Sequence, residues 1–269
     1  LGFIFGPPMG GLIMAKFGFA YVGWFAALLC VVNLVLAWFI LPESLQHKNP
    51  DAVLRLVPVK DYREVLAHPH LRRIFIINFF YITAFFLFQV CSTLFWEEHF
   101  GLNEEQRGYA FAFLGVCTAL VQGLLIRKLS SAFGDERLLI IGNVGMAIVL
   151  VFLGLVPQGY FLVGELPLIF LMALVNGPVG PASLSLLSRE VDPRNQGRVV
   201  GLFQSFGSLA RVVGPIVGTT LYATSYLLPF FSAGLLLAIN AWLAVLYIRV
   251  LRASGQGHHQ ATGQSGVKA

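Results

Sequence analysis

Two ionisable side chains lie in stretches of the sequence that are otherwise free of charge. Glu165 separates the uncharged runs 138–164 and 166–188, and Arg211 precedes the uncharged run 212–248. If these stretches cross a bilayer, such residues mark ion or substrate pathways, proton relays or ion pairs. Both groups then fall at a similar depth in the outer half of the membrane, so we expect an ion pair or a proton-sensitive site. The alternative is that Glu165 reaches the interface, while Arg211 bonds to carbonyls or is buried between helix bundles.

The elements that would hold these residues are apolar helices. The 269 residues are 57% hydrophobic and 12% charged, whereas a soluble domain has about 25% charged residues. Several uncharged runs exceed the roughly 20 residues that cross a bilayer as a helix. The first span is short and the chain starts within it, so we expect further helices before residue 1. Turn signals divide the longest runs, and the predicted spans are 1–15, 20–41, 73–95, 108–127, 138–156, 160–187, 199–222 and 227–249.

The basic residues indicate how these spans are oriented. Fifteen of the 18 Lys and Arg residues fall in one set of alternate loops and the C-terminal tail, while the opposite loops hold Lys16 and Arg107. Lys and Arg concentrate in cytoplasmic loops. We therefore expect a multi-pass protein of the plasma membrane or a bacterial inner membrane, with its basic loops and its C-terminus in the cytoplasm.

The longest polar connection, residues 43–71, divides the chain into two parts. It carries three prolines and mixed charge, as expected of a cytoplasmic linker between helix bundles. Residues 1–42 then hold two helices, and residues 72–252 hold a six-helix bundle. Residues 253–269 are rich in Gly, Gln, Ser and His, which predicts a disordered cytoplasmic tail.

Several chemistries lack their sequence signatures. The chain has no GxxxxGK[ST] loop for nucleotide binding and no HExxH or GxSxG motif. Cys30, Cys91 and Cys117 lie in apolar runs, at spacings that suit neither a metal site nor a disulfide framework. We expect no enzymatic activity, no cofactor, no metal and no nucleic-acid partner.

Two helices carry a similar glycine–proline pattern, which reads GxxxGPxxGG in the first span and AxxxGPxxG in the seventh. Small residues at every fourth position let two helix backbones approach closely, and the proline adds a local bend. Packing alone would explain the glycines, but the recurrence after six helices indicates two related bundles. The residues are Gly2, Gly6, Pro7, Gly10 and Gly11 in the first copy, and Ala210, Gly214, Pro215 and Gly218 in the second.

On these residues the sequence resembles the major facilitator superfamily, and within it the drug/proton antiporters related to tetracycline efflux proteins. Their fifth helix carries the GxxxGPxxGG signature, and Pro42-Glu43-Ser44 resembles the triplet that closes their sixth helix. The resemblance covers nearly all of residues 1–250. It implies an all-α integral membrane protein: the C-terminal six-helix bundle of a major facilitator fold plus the last two helices of the N-terminal bundle.

The resemblance also implies roles for particular residues. The turn 123–137 resembles a cytoplasmic loop motif of the family and would form a charge latch with Asp135 and Glu136 as its acidic members, although topology alone would also explain its basic residues. The seventh and tenth helices of the family line a central cavity, although polar residues in spans more often bond to neighbouring helices. The residues are Gly123, Arg127, Gly134, Asp135 and Arg137 in the gate loop, and Asn78, Phe79, Phe86, Gln89 and Asn176 in the cavity.

Together these features lead us to expect transport of a small molecule by alternating access. The resemblance implies proton-coupled efflux of a lipophilic, drug-like compound by an antiporter that is monomeric at full length. Uptake or export of a sugar or another metabolite on the same fold is an alternative, as is a truncated membrane protein that does not transport.

Overall fold

The computed structural model describes residues 2–40, 59–192 and 195–264, which are helical apart from short turns. Two π-helical turns, Val121–Leu125 and Phe161–Glu165, interrupt the α-helices. The helices are α1 (Gly2–Phe17), α2 (Phe19–Ile40), α3 (Val59–Ala67), α4 (Pro69–Phe100), α5 (Glu104–Leu120), α6 (Ile126–Phe133), α7 (Asp135–Gly154), α8 (Leu166–Asn176), α9 (Val179–Arg189), α10 (Gln196–Tyr222) and α11 (Leu227–Gln264).

Seven helical segments in this part of the chain are long and apolar enough to cross a membrane, and they coincide with the second to eighth predicted spans. Two of them are composite, because a π turn joins α5 to α6 and another π turn leads into α8 and α9. The first predicted span forms α1, which has 16 residues. The seven segments are Phe19–Ile40, Pro69–Phe100, Glu104–Phe133, Asp135–Gly154, Phe161–Arg189, Gln196–Tyr222 and Leu227–Leu251.

The segments predicted to be polar connections contain helix. Within the predicted linker, α3 precedes α4, whose first residue is Pro69, a position where proline suits a helix. Residues 41–58, which include the Pro42-Glu43-Ser44 triplet, lie outside the described part. The tail that was predicted to be disordered begins at residue 253, and α11 is described as far as Gln264.

The central helix of the bundle is α4. It packs against α10 and α11, and α11 also packs against α7. Two fully buried side chains of α4 lie in these contacts: Phe75 packs on Phe203 of α10, and Phe88 packs on Phe230 of α11. Since lipid chains are as apolar as these side chains, close packing and interhelical hydrogen bonds hold such helices together, more than exclusion of water does.

Glycines allow α10 to lie directly against α4. A Cβ added at Gly214 would lie 2.7 Å from the carbonyl oxygen of Thr83, and one added at Gly218 would lie 3.0 Å from the Sγ of Cys91. Because side chains do not tolerate the shorter of these distances, only glycine lets the two backbones approach so closely at residue 214. The second glycine–proline pattern is therefore the contact face of α10.

The first copy of the pattern makes a different contact. On α1, which packs against α5, a Cβ added at Gly11 would lie 2.9 Å from the carbonyl oxygen of Glu104. In contrast, a Cβ at Gly6 would have no atom of the described chain within 4 Å. Of the first pattern, the structure therefore assigns a tight helix contact to its last glycine.

The two ends of the bundle differ in charge. The acidic end contains the turn between α4 and α5. Glutamates flank this turn at the end of α4 and the start of α5: Glu97, Glu98, Glu104 and Glu105. In that turn Gly101 adopts a left-handed conformation (φ 67°) that ends α4, and Asn103 caps α5. The basic end contains α3, the turn between α6 and α7, and the start of α10.

Candidate functional site

Glu165 is completely buried at the end of a π-helical turn. Its Oε1 accepts a 2.7 Å hydrogen bond from Nε1 of Trp96 on α4, and its Oε2 has no hydrogen-bond partner in the described part of the chain. π-helical turns are rare and occur frequently at functional sites. The arrangement presents a carboxyl group inside a membrane span with one oxygen free to exchange a proton or to meet a polar group.

Aromatic rings surround this carboxyl group. The Trp96 ring centroid lies 4.9 Å from that of Phe111 and 6.1 Å from that of Phe161. Phe161 also lines a cavity of about 410 Å³ between α5 and α8, near the acidic end. Phe161 therefore contacts both the Glu165–Trp96 pair and the cavity. The cavity is lined by Leu102, Gln106, Tyr109, Ala110, Phe113, Phe161, Leu162 and Leu166.

Arg211 lies at the edge of the α10 face that packs against α4, three residues before Gly214 and four after Gly207. Its side chain is exposed, and the guanidinium carbon lies 5.5 Å from the centre of the Phe86 ring, which is a cation–π contact. Gln204, Ser208 and Thr219 are also exposed at helical spacing from Arg211. Thus α10 has a glycine face against α4 and a polar face next to it, and Arg211 lies where the two meet.

The predicted ion pair between Glu165 and Arg211 is not formed in this structure. Glu165 bonds to Trp96, whereas Arg211 stacks on Phe86. Both partners belong to α4, and their separation of ten positions corresponds to roughly 15 Å along a helix. Since α4 carries the two contacts at different heights, the similar depth inferred from the sequence did not bring the two charges together.

The predicted cavity residues on α4 lie mainly at its contact with α10. Asn78 is buried where α4 faces Gly207, and the ring centroid of Phe79 lies 5.1 Å from that of Phe206. Phe86 holds Arg211, as described above. These three residues form part of a helix interface, and none of them lines the 410 Å³ cavity.

The other two predicted cavity residues have separate surroundings. Asn176, at the end of α8, accepts a hydrogen bond from the hydroxyl of buried Tyr81, which ties α8 to α4. Gln89 is half-buried, and its Oε1 has no hydrogen-bond partner among the described residues. The five residues therefore do not converge on one pocket in this conformation.

In the predicted gate loop, Asp135 is the centre of a hydrogen-bond network. It accepts hydrogen bonds of 2.6 Å from the hydroxyls of Ser130 and Ser185, and Nη2 of Arg189 lies 2.6 Å from its Oδ2. We expected Arg127 and Arg137 to provide the basic side of a latch. In the described chain, however, the ion pair of Asp135 is with Arg189, because the end of α9 packs beside the start of α7.

The two glycines of the predicted gate loop lie where the backbone is irregular. Gly134 adopts a positive φ of 76° between α6 and α7, a conformation that glycine allows, and Gly123 lies in the first π turn. In the same π turn, the side-chain amide of Gln122 donates to the carbonyl of Gly177 at 3.2 Å, where α8 gives way to α9. The π turn of one span is therefore in contact with the break between α8 and α9 in the neighbouring span.

Sequence reasoning missed a buried asparagine cluster. Nδ2 of Asn240 on α11 donates to Oδ1 of Asn143 on α7 at 2.8 Å and to the carbonyl of Ile77 on α4 at 3.0 Å. The cluster thus ties three helices together. The sequence signal for this cluster was an asparagine in each of the uncharged runs 138–164 and 212–248. For Trp96 and Tyr81, the partners of Glu165 and Asn176, the sequence offers no signal beyond their polar groups.

A second missed contact secures α3 to the basic end. Arg198 at the start of α10 forms ion pairs with Asp61 and with Glu64, the latter at 2.7 Å. The Tyr62 hydroxyl donates to the carbonyl of Leu202 at 3.3 Å. The segment before α4 is therefore attached to α10.

Comparisons with known proteins agree with this architecture. The model of the Major Facilitator Superfamily matches residues 1–164 and 74–265. The tetracycline resistance protein, class C, of Escherichia coli is 29% identical over 234 residues, which cover 84% of this chain and 56% of that protein. Multidrug resistance protein 2 of Bacillus subtilis is 28% identical over 251 residues, covering 91% and 61%.

Other relatives are named differently. Solute carrier family 22 member 18 of Rattus norvegicus is 26% identical over 227 residues, which cover 82% of this chain and 54% of that protein. The crystal structure of the human organic anion transporter MFSD10 (TETRAN) superposes with a TM-score of 0.68 at 21% identity, covering 88% of this chain and 60% of that one. The chain thus spans little more than half the length of the relatives it matches.

Proposed function

The chain belongs to the Major Facilitator Superfamily and is related to tetracycline efflux proteins, and from this premise we propose that the full-length protein exports lipophilic compounds in exchange for protons. Two relatives support the substrate class by their names, since one is a tetracycline resistance protein and another a multidrug resistance protein.

The observation that carries the proton coupling is the environment of Glu165. A transporter that exchanges protons needs an ionisable group within its spans, and such groups are rare there because a charge is costly in a bilayer. Glu165 has no exposed surface, one oxygen is held by Trp96, and the other is free of hydrogen bonds from the described residues. Proton exchange at the free oxygen would change the strength of the Trp96 bond and thus the contact between α4 and α8.

The cavity beside Phe161 is suited to the proposed substrate. Its volume of about 410 Å³ falls within the usual range for small-molecule sites, roughly 300–1,000 Å³. The lining is apolar and aromatic, and its polar groups are the amide of Gln106 and the hydroxyl of Tyr109. Because Phe161 contacts both the cavity and Trp96, a compound in the cavity would act on the proton-exchanging group through these rings.

The Asp135–Arg189 contact would act as the latch of the alternating cycle. It joins the start of α7 to the end of α9 at the basic end, which we assign to the cytoplasm together with the C-terminus. Opening on that side would separate these helix ends, so the contact stabilises the state in which they are together.

The test is an efflux assay on cells that express the full-length protein. A panel of lipophilic compounds is loaded, and their loss is followed with and without a proton uncoupler. We expect efflux of at least one compound that the uncoupler abolishes. Uptake of a sugar or another metabolite, with no efflux of any lipophilic compound, would overturn the proposed substrate and direction.

A second candidate function is transport of an organic anion, which the position of Arg211 favours. An exposed guanidinium within a span, on a polar face of α10, can bind a carboxylate or sulfonate. Transport by the Arg211→Gln variant distinguishes the two candidate functions, because the substitution would abolish transport of an organic anion only. An exporter of neutral or cationic lipophilic compounds would keep most of its activity.

A further inference from the structure

A narrow groove runs between α4 and α11 at the basic end of the bundle. It has a volume of about 300 Å³. Its walls are aliphatic, and arginines are its two charged members. The lining residues are Arg73, Ile76, Ile77, Leu243, Leu246, Arg249 and Val250.

Helical spacing places the two arginines at the same end of the groove. Arg73 comes three residues before Ile76 on α4, and Arg249 comes three residues after Leu246 on α11, so each arginine continues the face that carries the aliphatic side chains. The two helices run in opposite directions, and the Asn240–Ile77 hydrogen bond joins them deeper in the bundle. The groove therefore leads from two positive charges into the apolar interior.

One of these arginines is incompletely bonded. Nη1 of Arg73 is buried and has no hydrogen-bond partner in the described part of the chain. Leaving a buried donor without a hydrogen bond costs free energy, and the cost is larger when the donor is charged. An arginine that merely extended into the headgroup region would keep all its nitrogens in water. An acceptor on a bound group would satisfy Nη1.

We propose that this groove binds one anionic phospholipid. Its phosphate lies between Arg73 and Arg249, and one acyl chain lies along Ile76, Leu243 and Leu246. Arginine pairs with phosphate oxygens through two parallel hydrogen bonds, which matches a headgroup held at the mouth of the groove. Basic pockets between transmembrane helices are a recognised form of lipid site.

The charge of the groove selects for this occupant. Two guanidinium groups favour a headgroup with net negative charge over a zwitterionic one, whose own cation would meet the arginines. The aliphatic walls require a chain, which a free phosphate ion lacks. Anionic lipids are enriched in the cytoplasmic leaflet, in agreement with the orientation proposed for the basic end. The site is independent of which compound is transported.

The experiment measures lipid retained by the purified full-length protein in native mass spectrometry. Phosphatidylglycerol is the probe, phosphatidylcholine is the zwitterionic comparison, and inorganic phosphate is the headgroup-only competitor. We expect retention of one phosphatidylglycerol that is weakened about tenfold or more, about 1.4 kcal/mol, in Arg73→Gln/Arg249→Gln. The matched control is Arg63→Gln/Arg72→Gln, which removes the same charge from exposed positions outside the groove and retains the lipid.

A second variant tests the acyl part of the site. Leu246→Trp fills the groove while leaving both arginines in place, and we expect it to lose phosphatidylglycerol as well. Unchanged retention in the arginine double variant would overturn the proposal. So would equal retention of phosphatidylcholine, or displacement of the lipid by inorganic phosphate at similar concentration.

Discussion

Trp96 and Glu165 are joined by a 2.7 Å hydrogen bond between the indole N–H and the carboxyl group, across 69 residues of sequence. The bond connects α4, the helix that packs against α10 and α11, to the π turn that precedes α8. A change in the charge of Glu165 would therefore act directly on the central helix of the bundle.

Glu165→Gln should uncouple transport from protons. Glutamine keeps an oxygen that can accept the Trp96 bond, but it cannot exchange a proton. We expect compound-driven proton movement in vesicles to fall by about tenfold or more, corresponding to about 1.4 kcal/mol. The exposed Glu104→Gln, which also removes a carboxylate, should leave it unchanged. Normal proton movement in Glu165→Gln would assign the coupling to another group.

Trp96→Phe should destabilise the protein more than an exposed tryptophan substitution does. Phenylalanine preserves ring packing on Phe111 but leaves buried Glu165 without its donor, at a cost of about 1–3 kcal/mol. Thermal unfolding of the purified protein measures this loss. Trp242→Phe on α11 is the control, because Trp242 is 61% exposed. Equal shifts in the two variants would mean that the hydrogen bond adds little stability.

Asp135 and Arg189, the buried and the exposed partner of the latch, should contribute unequally to the free energy of unfolding. Asp135 is buried and accepts three hydrogen bonds, so Asp135→Asn should cost about 1–3 kcal/mol. The side chain of Arg189 is 63% exposed, so Arg189→Gln should cost less than about 1 kcal/mol. Thermal unfolding of both variants gives the comparison. A larger loss in Arg189→Gln would show that the ion pair, and not the two serine hydroxyls, dominates the contact.

Gly214→Ala should separate α10 from α4. The added Cβ would lie 2.7 Å from the Thr83 carbonyl oxygen, so the helices must move apart, at a cost of about 1–3 kcal/mol. Gly201→Ala on the same helix has nothing within 4 Å of its added Cβ and is the matched control. Thermal unfolding and transport should both decline in the first variant and remain normal in the second. Full activity of Gly214→Ala would contradict the tight contact.

Hydropathy was sufficient to predict the spans, and one motif was sufficient to predict the family. Charge-free runs of membrane-spanning length identify helices without any knowledge of their neighbours, and the Gly2 to Gly11 signature led to the superfamily that the comparisons confirm. Glu165 was found in the same way, because a charge interrupts an apolar run.

The partners of these residues could not be predicted, because helix rotation and neighbour choice depend on packing. Depth alone suggested Arg211 as the partner of Glu165, whereas α4 provides Trp96 to one and Phe86 to the other. The same limit explains why Asp135 meets Arg189 and not the nearby Arg137. Contacts between helices far apart in sequence leave no local signal.

The most direct test of proton-coupled export is transport by the full-length protein in sealed vesicles with an imposed pH gradient. A lipophilic compound exported from cells is the substrate, and an external pH probe reports proton movement when the compound is added. We predict that compound and protons move in opposite directions, and that collapsing the gradient stops accumulation. Accumulation that continues without a gradient, with no proton movement, would contradict proton-coupled export.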